Sequence, residues 1–166
     1  MKWNFLLILI AIPSLLLAGD FGVSAKASMY DPPGDASPSL MLGVEGVYTL
    51  NSFFDATVSI EWTKYDENNQ TITLIPVLLN GKFHPVGRGN FDPYVGFGAG
   101  YYYREGGLDI ESTAGGKALA GISWKNKKGN GFVFEIAYSI PDFQDFSQGG
   151  LTYSGGVTGS LDFGTK

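Results

Sequence analysis

The sequence predicts an all-β protein, an eight-stranded antiparallel up-and-down transmembrane β-barrel. Residues 151–163 alternate between apolar residues or glycine at odd positions and polar or small residues at even positions. Successive side chains of a strand point to opposite faces, so this segment has one apolar face and one polar face. Seven further segments have strand-like patterns, and each approaches the roughly 9–11 residues that a tilted strand needs to cross a bilayer. Eight is an even number, as in bacterial single-chain barrels.

The first 19 residues have the features of an export signal. Lys2 supplies a positive start, residues 5–17 are largely apolar, and the small residues Ala18 and Gly19 suit a cleavage site. We therefore predict a cleaved signal peptide at residues 1–19 and one outer-membrane β-barrel domain at residues 20–166. Cleavage after Ala27 is the alternative, but it would remove most of the first predicted strand.

Composition favours a membrane barrel over other classes of protein. Glycine is abundant at 24 residues and aromatic residues make up 14%. Charged residues make up 16%, against about a quarter in ordinary soluble domains. The net charge of −5 argues against a nucleic-acid partner, which requires a basic surface. Because the chain has no cysteine, disulfides, a lipid-anchor cysteine and thiolate metal sites are excluded.

The alternation divides the chain into strands, external loops and periplasmic turns. Strands are predicted at residues 21–30, 40–50, 53–65, 71–84, 93–104, 117–125, 131–140 and 151–163. External loops are predicted at 31–38, 66–70, 105–116 and 141–150, and turns at 51–52, 85–92 and 126–130. A soluble lipocalin-like barrel would turn its apolar face inward. Aromatic residues near the strand ends, such as Trp62 and Trp124, favour the membrane form, with the apolar face outward.

Charged residues on the predicted inward faces form the first candidate site. They are Lys26, Glu45, Asp55, Glu61, Arg104, Lys117, Lys125, Glu135 and Asp162. Charges inside a narrow barrel are costly unless they are paired. We interpret this set as a structural ion-pair core that fills the lumen, with a gated polar pathway as the alternative. Eight strands leave room for side chains or one small ligand.

The fourth strand is the exception, because it is apolar on both faces. The inward parity of Asn80 and Lys82 indicates that Leu74, Pro76 and Leu78 also point into the lumen. Proline has no N–H group to donate to a neighbouring strand, so it usually marks the edge of a sheet or a β-bulge. These three residues are predicted either to plug the lumen or to form an apolar patch that receives a hydrophobic solute.

A resemblance supports the barrel. Residues 73–103 read TLIPVLLNGKFHPVGRGNFDPYVGFGAGYYY, with a proline inside an apolar strand, the sequence Phe-His-Pro at residues 83–85 and alternating glycines. This segment resembles the small outer-membrane β-barrel proteins that include the OmpW-like proteins. The resemblance implies a barrel in the outer membrane of a Gram-negative bacterium, and some OmpW-like members are implicated in passage of small hydrophobic molecules. Family members often end on an aromatic residue read by the assembly machinery, and Phe163 is the candidate here.

No catalytic residue, cofactor or metal site is predicted. A hydrolase needs a histidine beside a nucleophile and an acid, but His84 is the single histidine and lies at the predicted periplasmic end. We expect it to be an interfacial residue. The predicted function is a porin-like outer-membrane barrel that forms a narrow pathway for small hydrophobic solutes. The alternative is a structural or surface-interaction barrel with a closed ion-paired lumen. Expected partners are outer-membrane lipids, the barrel-assembly machinery and, for a pathway, a small hydrophobic solute.

Overall fold

The computed structural model of the protein describes residues 20–34, 36–67, 70–106 and 109–161. The predicted signal peptide at residues 1–19 lies outside the described residues, as do Asp162 and Phe163. Within the described part, no helix is long and apolar enough to span a membrane. The strands are β1 (Phe21–Asp31), β2 (Ser39–Thr49), β3 (Phe54–Glu67), β4 (Gln70–Phe83), β5 (Phe91–Gly106), β6 (Asp109–Lys125), β7 (Gly131–Ile140) and β8 (Gly150–Leu161). A short 3₁₀ helix at Phe146–Gln148 precedes β8.

Each strand pairs antiparallel with its sequence neighbours, and β1 pairs with β8 to close the barrel. This confirms the predicted eight-stranded up-and-down fold. One end, here called the turn end, carries the connections at 50–53, 84–90 and 126–130. The other, the loop end, carries the connections at 32–38 and 141–149 and the tops of the β3–β4 and β5–β6 hairpins. Asp20 and Leu161 both lie at the turn end.

Two predicted loops are wrong, because the strands continue through them. β5 runs to Gly106 and β6 begins at Asp109, so most of the predicted loop at 105–116 is paired strand. The predicted loop at 66–70 likewise belongs largely to β3 and β4, whose pairing extends to Glu67 and Gln70. Polar residues occur on both faces of these segments, so the sequence shows no alternation there. The strands continue because backbone hydrogen bonds between paired strands do not depend on an apolar face.

Apolar side chains cover the outside of the barrel. Val58 is 53% exposed and Phe97 is 78% exposed, which contradicts the soluble lipocalin-like alternative. On β3 this apolar belt runs from Phe54 to Trp62, roughly 27 Å along the strand at about 3.4 Å per residue. A strand tilt of about 35–45° reduces its height to roughly 19–22 Å, slightly less than the apolar band, about 25 Å tall, of outer-membrane barrels.

The β3–β4 and β5–β6 hairpins rise beyond the apolar belt at the loop end. Outward-facing positions there become polar and exposed, as at Lys64, Asp66, Thr71, Glu105 and Ser112. These four strands have 14 to 17 residues, whereas the others have 10 to 12. The two projecting hairpins therefore place a polar surface above one side of the barrel.

Glycines on the inner face of β5 make room for the bulk of β4. A Cβ atom at Gly98 would lie 2.8 Å from the Leu79 carbonyl oxygen, and one at Gly100 would lie 2.9 Å from Leu78 Cα. Both distances are shorter than a normal contact, so larger residues would push the two strands apart. The inward side chains of β4 therefore occupy the part of the lumen that lies beside these glycines of the neighbouring strand β5.

Candidate functional site

The side chains inside the barrel form successive groups along its axis. From the loop end they are an apolar plug beneath a small cavity, an ion-pair layer, and a histidine-centred cluster that lines a wide vestibule at the turn end. Each group draws residues from several strands, because neighbouring strands present inward side chains at matching heights. The chemistry of the lumen therefore depends on which residues share a height as well as on which residues face inward.

The apolar plug lies next to the cavity at the loop end. It consists of Tyr30, Met41, Tyr65, Ile72, Leu74, Leu78 and Tyr102. Leu74, Pro76 and Leu78 all face inward and are buried, at 3% exposure for Leu74 and 1% for Leu78. The Tyr102 hydroxyl donates a hydrogen bond to the Gly116 carbonyl, 2.8 Å away. Tyr30 and Tyr65 pack with ring centroids 5.7 Å apart.

The ion-pair layer lies below the plug and contains three lysines and three glutamates. Lys26 Nζ lies 3.4 Å from Glu45 and 3.1 Å from Glu135. Lys82 Nζ lies 2.6 Å from Glu45 and 3.5 Å from Glu135. The remaining pair is Lys117 and Glu61, whose charged atoms are 2.5 Å apart. All six side chains are buried, and their formal charges cancel.

Neutral side chains complete the hydrogen bonding of this layer. The Tyr94 hydroxyl donates to Glu135 at 3.1 Å, and Lys82 Nζ lies 4.8 Å from the centre of the Tyr94 ring. Thr57 donates to Glu45 at 3.3 Å and accepts from the Asn80 amide at 3.2 Å. Charge-assisted bonds of this kind offset part of the cost of removing the charges from water.

The predicted single ion-pair core is corrected to three separate groups. Lys26, Glu45, Glu61, Lys117 and Glu135 belong to the ion-pair layer. Asp55 and Lys125 lie at the turn end, and Arg104 lies at the loop end, where it pairs with Glu67. Strand parity determines which way a side chain faces, but tilt and register determine its height. Asp162 is outside the described residues, so its predicted role stays a prediction.

Lys82 was missing from the predicted charged set, although it bridges two glutamates. Apolar residues occupy both faces of β4 towards the loop end and obscure the alternation there, but the half of β4 near the turn end keeps it. Asn80 and Lys82 share the inward parity of β4, and this parity is the sequence signal that predicts an inward Lys82. Tyr94 has the same inward parity on β5.

A cluster centred on His84 lies at the turn end. Its Nδ1 atom is 2.6 Å from Asp92 Oδ1, and its Nε2 atom is 3.1 Å from Asp55 Oδ2. Arg88 Nη2 lies 3.4 Å from Asp55, and Lys125 Nζ lies 3.7 Å from Asp92. His84 is only 2% exposed, so the expectation of an interfacial histidine is wrong. It continues the inward parity of β4 into the following turn.

The two carboxylates favour the protonated form of His84. Burial by itself lowers the pKa of the imidazole, but the hydrogen bonds and charges of Asp55 and Asp92 outweigh burial and raise this pKa above its ordinary value. When protonated, the ring donates both N–H groups. Backbone hydrogen bonds also connect the turn at 84–90 to the turn at 50–53, because His84 N donates to Phe53 O and Arg88 N donates to Ser52 O. The His84 cluster thus fastens two turns of the barrel together.

Two cavities occupy the ends of the lumen. The vestibule at the turn end has a volume of about 1460 Å³ and reaches inward to Glu45, Lys82 and Tyr94. The loop-end cavity has a volume of about 250 Å³, and Leu74 forms part of its lining. The apolar plug and the ion-pair layer lie between them. Among the described residues, no group of three or more histidine and acidic side chains is placed to hold a metal ion.

Known structures share this fold. Neisserial surface protein A superposes with a TM-score of 0.70 at 13% identity over 85% of this chain and 97% of its own. The outer-membrane protein AlkL gives 0.62 at 14% identity, over 89% of this chain and 92% of its own. Ail of Yersinia pestis, the attachment invasion locus protein, gives 0.52 at 14% identity, over 86% and 97%. No family model matches the chain, and no curated protein matches its sequence.

The chain therefore has the fold of the small eight-stranded outer-membrane β-barrels. At identities of 13–14%, the superpositions show a shared fold and say nothing about the function of individual residues. The narrower OmpW-like resemblance stays a prediction, because barrels of several kinds superpose on this one.

The Lys117–Glu61 pair provides a test of the ion-pair layer. Lys117→Met should destabilise the barrel by about 3–5 kcal/mol, because it leaves a buried glutamate without its partner. The double variant Lys117→Met with Glu61→Gln should recover most of this loss, since no unpaired charge remains. Urea unfolding in lipid vesicles measures both. A double variant as unstable as the single one would mean that packing, and not charge pairing, dominates at this position.

The His84 cluster predicts a pH dependence of stability. A histidine whose pKa is raised by folding stabilises the fold fully below its unfolded pKa of about 6.5. This stabilisation is lost as the pH rises through the higher folded-state pKa. The wild type should therefore lose stability from pH 6 towards pH 9 relative to His84→Gln, which cannot titrate there. Parallel stability curves for the two proteins would contradict the raised pKa.

Proposed function

We propose that the protein is an integral outer-membrane barrel with its loop end facing outward. The apolar belt supports insertion, because its height is close to that of a bilayer-spanning barrel and aromatic residues border it at both ends. The projecting hairpins support the orientation, since outer-membrane barrels extend further on their external side than on the periplasmic side. Outer-membrane lipids are then its immediate partners, and the assembly machinery its proposed route into the membrane.

We further propose that the barrel is closed and acts as a structural or surface-interaction protein. One observation carries this proposal: buried side chains fill the lumen between the vestibule and the loop-end cavity. A solute moving along the axis would have to displace the apolar plug and then separate Lys26 and Lys82 from Glu45 and Glu135. Breaking a buried pair leaves an uncompensated charge, which costs about 3–5 kcal/mol.

The features available for interaction lie at the loop end. The projecting hairpins carry exposed polar residues such as Lys64, Asp66 and Glu105, well beyond the apolar belt. Two proteins of this fold are named for surface roles, Neisserial surface protein A and the attachment invasion locus protein. A closed lumen and the polar surface of the projecting hairpins are consistent with a comparable role in contact with external molecules.

A pathway for small hydrophobic solutes is the second candidate, with a lateral exit. The β3–β4 ladder pairs Ile60 with Val77 and Thr63 with Leu74, but the two positions between them are not paired. Pro76, which lacks an N–H group, lies in this gap. Leu74 also lines the loop-end cavity. An apolar solute entering that cavity would meet a weakened seam in the wall.

We propose no catalytic role. Both ring nitrogens of His84, the single histidine, are engaged by Asp55 and Asp92. Neither nitrogen is left to activate a hydroxyl nucleophile, as hydrolysis by a serine enzyme would require.

A charge placed in the apolar belt tests membrane insertion. Val58→Arg puts a cation near the middle of the belt and should reduce the free energy of unfolding in phospholipid vesicles by about 2–4 kcal/mol. Ser112→Arg, also outward-facing but on a projecting hairpin, should cost at most about 1 kcal/mol. Urea unfolding of both variants measures the difference. Equal losses would contradict the assigned position of the belt.

Transport measurements test the closed lumen. Wild-type protein in planar bilayers should give no ionic conductance above the bare membrane, because the ion-pair layer and the plug block the axis. Vesicles with a lipopolysaccharide outer leaflet should take up the apolar dye N-phenylnaphthylamine no faster than protein-free vesicles. A large porin serves as the positive control for conductance.

Steady ionic conductance through the wild type would reject the closed barrel. Faster dye uptake would instead support the lateral pathway, provided that Leu74→Asp abolishes it by placing a carboxylate that is costly to desolvate. Ser112→Asp is the matched control, because it adds a carboxylate at the same end of the barrel, on an exposed position that does not line the cavity, and should leave such uptake unchanged.

A further inference from the structure

We propose that the loop-end cavity binds a single neutral saccharide ring. This inference rests on the proposed role as a surface-interaction barrel and supplies the chemical class of what it contacts. The cavity lies at the outer mouth of the barrel, where an external glycan has access, and the apolar plug closes it from below. Its volume of about 250 Å³ falls just below the roughly 300–1,000 Å³ of sites for drug-sized ligands. It therefore suits one ring better than an extended molecule.

The floor and walls of the cavity are aromatic or apolar. Tyr30 and Tyr65 contribute rings tilted by 59° to each other, with centroids 5.7 Å apart. Leu74 lies beside them, and Pro33 and Pro141 line the cavity from two loops. Aromatic faces carry partial negative charge, and the faces of a pyranose ring carry C–H bonds. Tyr30 is 1% exposed and Tyr65 is 8% exposed, so Tyr65 offers the aromatic surface against which a sugar ring can pack its C–H bonds, and Tyr30 supports it from behind.

The rim of the cavity is a connected chain of polar side chains. Arg104 binds Glu67 on one side and donates to Gln148 Oε1 at 3.4 Å on the other. Gln148 Nε2 in turn donates to Asp145 Oδ2 at 3.0 Å. Asp145 also accepts from the Ser147 hydroxyl at 2.6 Å. All five residues line the cavity, so the rim is held in place before a ligand arrives.

This rim matches the edge of a sugar. Carboxylate and amide groups have more lone pairs and N–H groups than their internal bonds use, so they can also bind ligand hydroxyls. Hydroxyls project from the edge of a pyranose ring and can both donate and accept. A preorganised rim lowers the entropic cost of binding a small ligand.

Other ligand classes fit less well. A purely apolar ring would desolvate the carboxylates of Glu67 and Asp145 without replacing their hydrogen bonds, which is unfavourable. Among the described residues that line the cavity, Arg104 is the one cation that an anion would meet, and it already pairs with Glu67. An organic cation would have to compete with that same guanidinium for Glu67. A neutral polyhydroxylated ring avoids all three costs.

Calorimetry on the full chain in lipid nanodiscs tests this proposal. The probes are the methyl glycosides of glucose, galactose, mannose and N-acetylglucosamine, with cyclohexanol as a ring of similar size that carries one hydroxyl. At least one glycoside should bind measurably and more tightly than cyclohexanol. Glu67→Gln and Gln148→Ala should each weaken that binding by about tenfold, because each removes a hydrogen-bonding group from the rim.

Glu105→Gln is the matched control for Glu67→Gln. It makes the same chemical change near the same end of the barrel, but Glu105 is exposed and does not line the cavity. Its glycoside affinity should equal that of the wild type. Both rim residues are partly exposed, and barrel folding is checked for every variant by heat-modifiable gel mobility.

Three results would overturn the saccharide site. The first is no binding of any glycoside, the second is cyclohexanol binding as tightly as the best glycoside, and the third is glycoside binding that neither rim variant weakens. A barrel that conducts no ions and binds no glycoside would overturn this inference and leave the closed barrel standing. Conductance through the wild type would reject the closed barrel independently of any glycoside result.

Discussion

The narrow interior of an eight-stranded barrel is the constraint on which the rest of the structure depends. The lumen holds side chains and little else, so every inward polar group must find its partner on another strand. Lys26 and Lys82 meet this requirement by sharing Glu45 and Glu135. Lys26 and Glu45 lie on the neighbouring strands β1 and β2, whereas Lys82 on β4 reaches Glu135 on β7. The network therefore connects parts of the wall that face each other across the lumen.

The same constraint separates the two ends of the molecule. Towards the loop end the lumen is filled by tyrosines and aliphatic residues, which need few partners and exclude water. Towards the turn end the vestibule is lined by charged groups centred on His84, which also connect the turns at 50–53 and 84–90. The interior is thus apolar near the loop end and charged near the turn end, and the ion-pair layer, whose formal charges cancel, lies between the two.

A filled lumen and an apolar outside leave the rims as the surfaces for recognition. At the loop end, rigid hairpins and the chain of contacts from Glu67 to Asp145 frame a small cavity whose floor is the top of the plug. Tyr65, one of the aromatic residues that seal the barrel, therefore also provides part of the binding surface of the cavity. Closure of the lumen and recognition at the mouth are two consequences of the same packing.

Much of this architecture is already present in the sequence, because strand alternation is local. The alternation of side chains every two residues predicts the number of strands, their outward faces and the inward placement of residues such as Glu45 and Leu74. This prediction needs no knowledge of the fold. Local pattern failed where polar residues occupied both faces, as in the projecting hairpins, and where a turn residue such as His84 continued a strand's parity. Only the closed barrel decided which inward residues share a height, since register and tilt bring together Lys26 and Glu135 from strands far apart in sequence. That is why Arg104, Asp55 and Lys125 left the predicted core and Lys82 joined it.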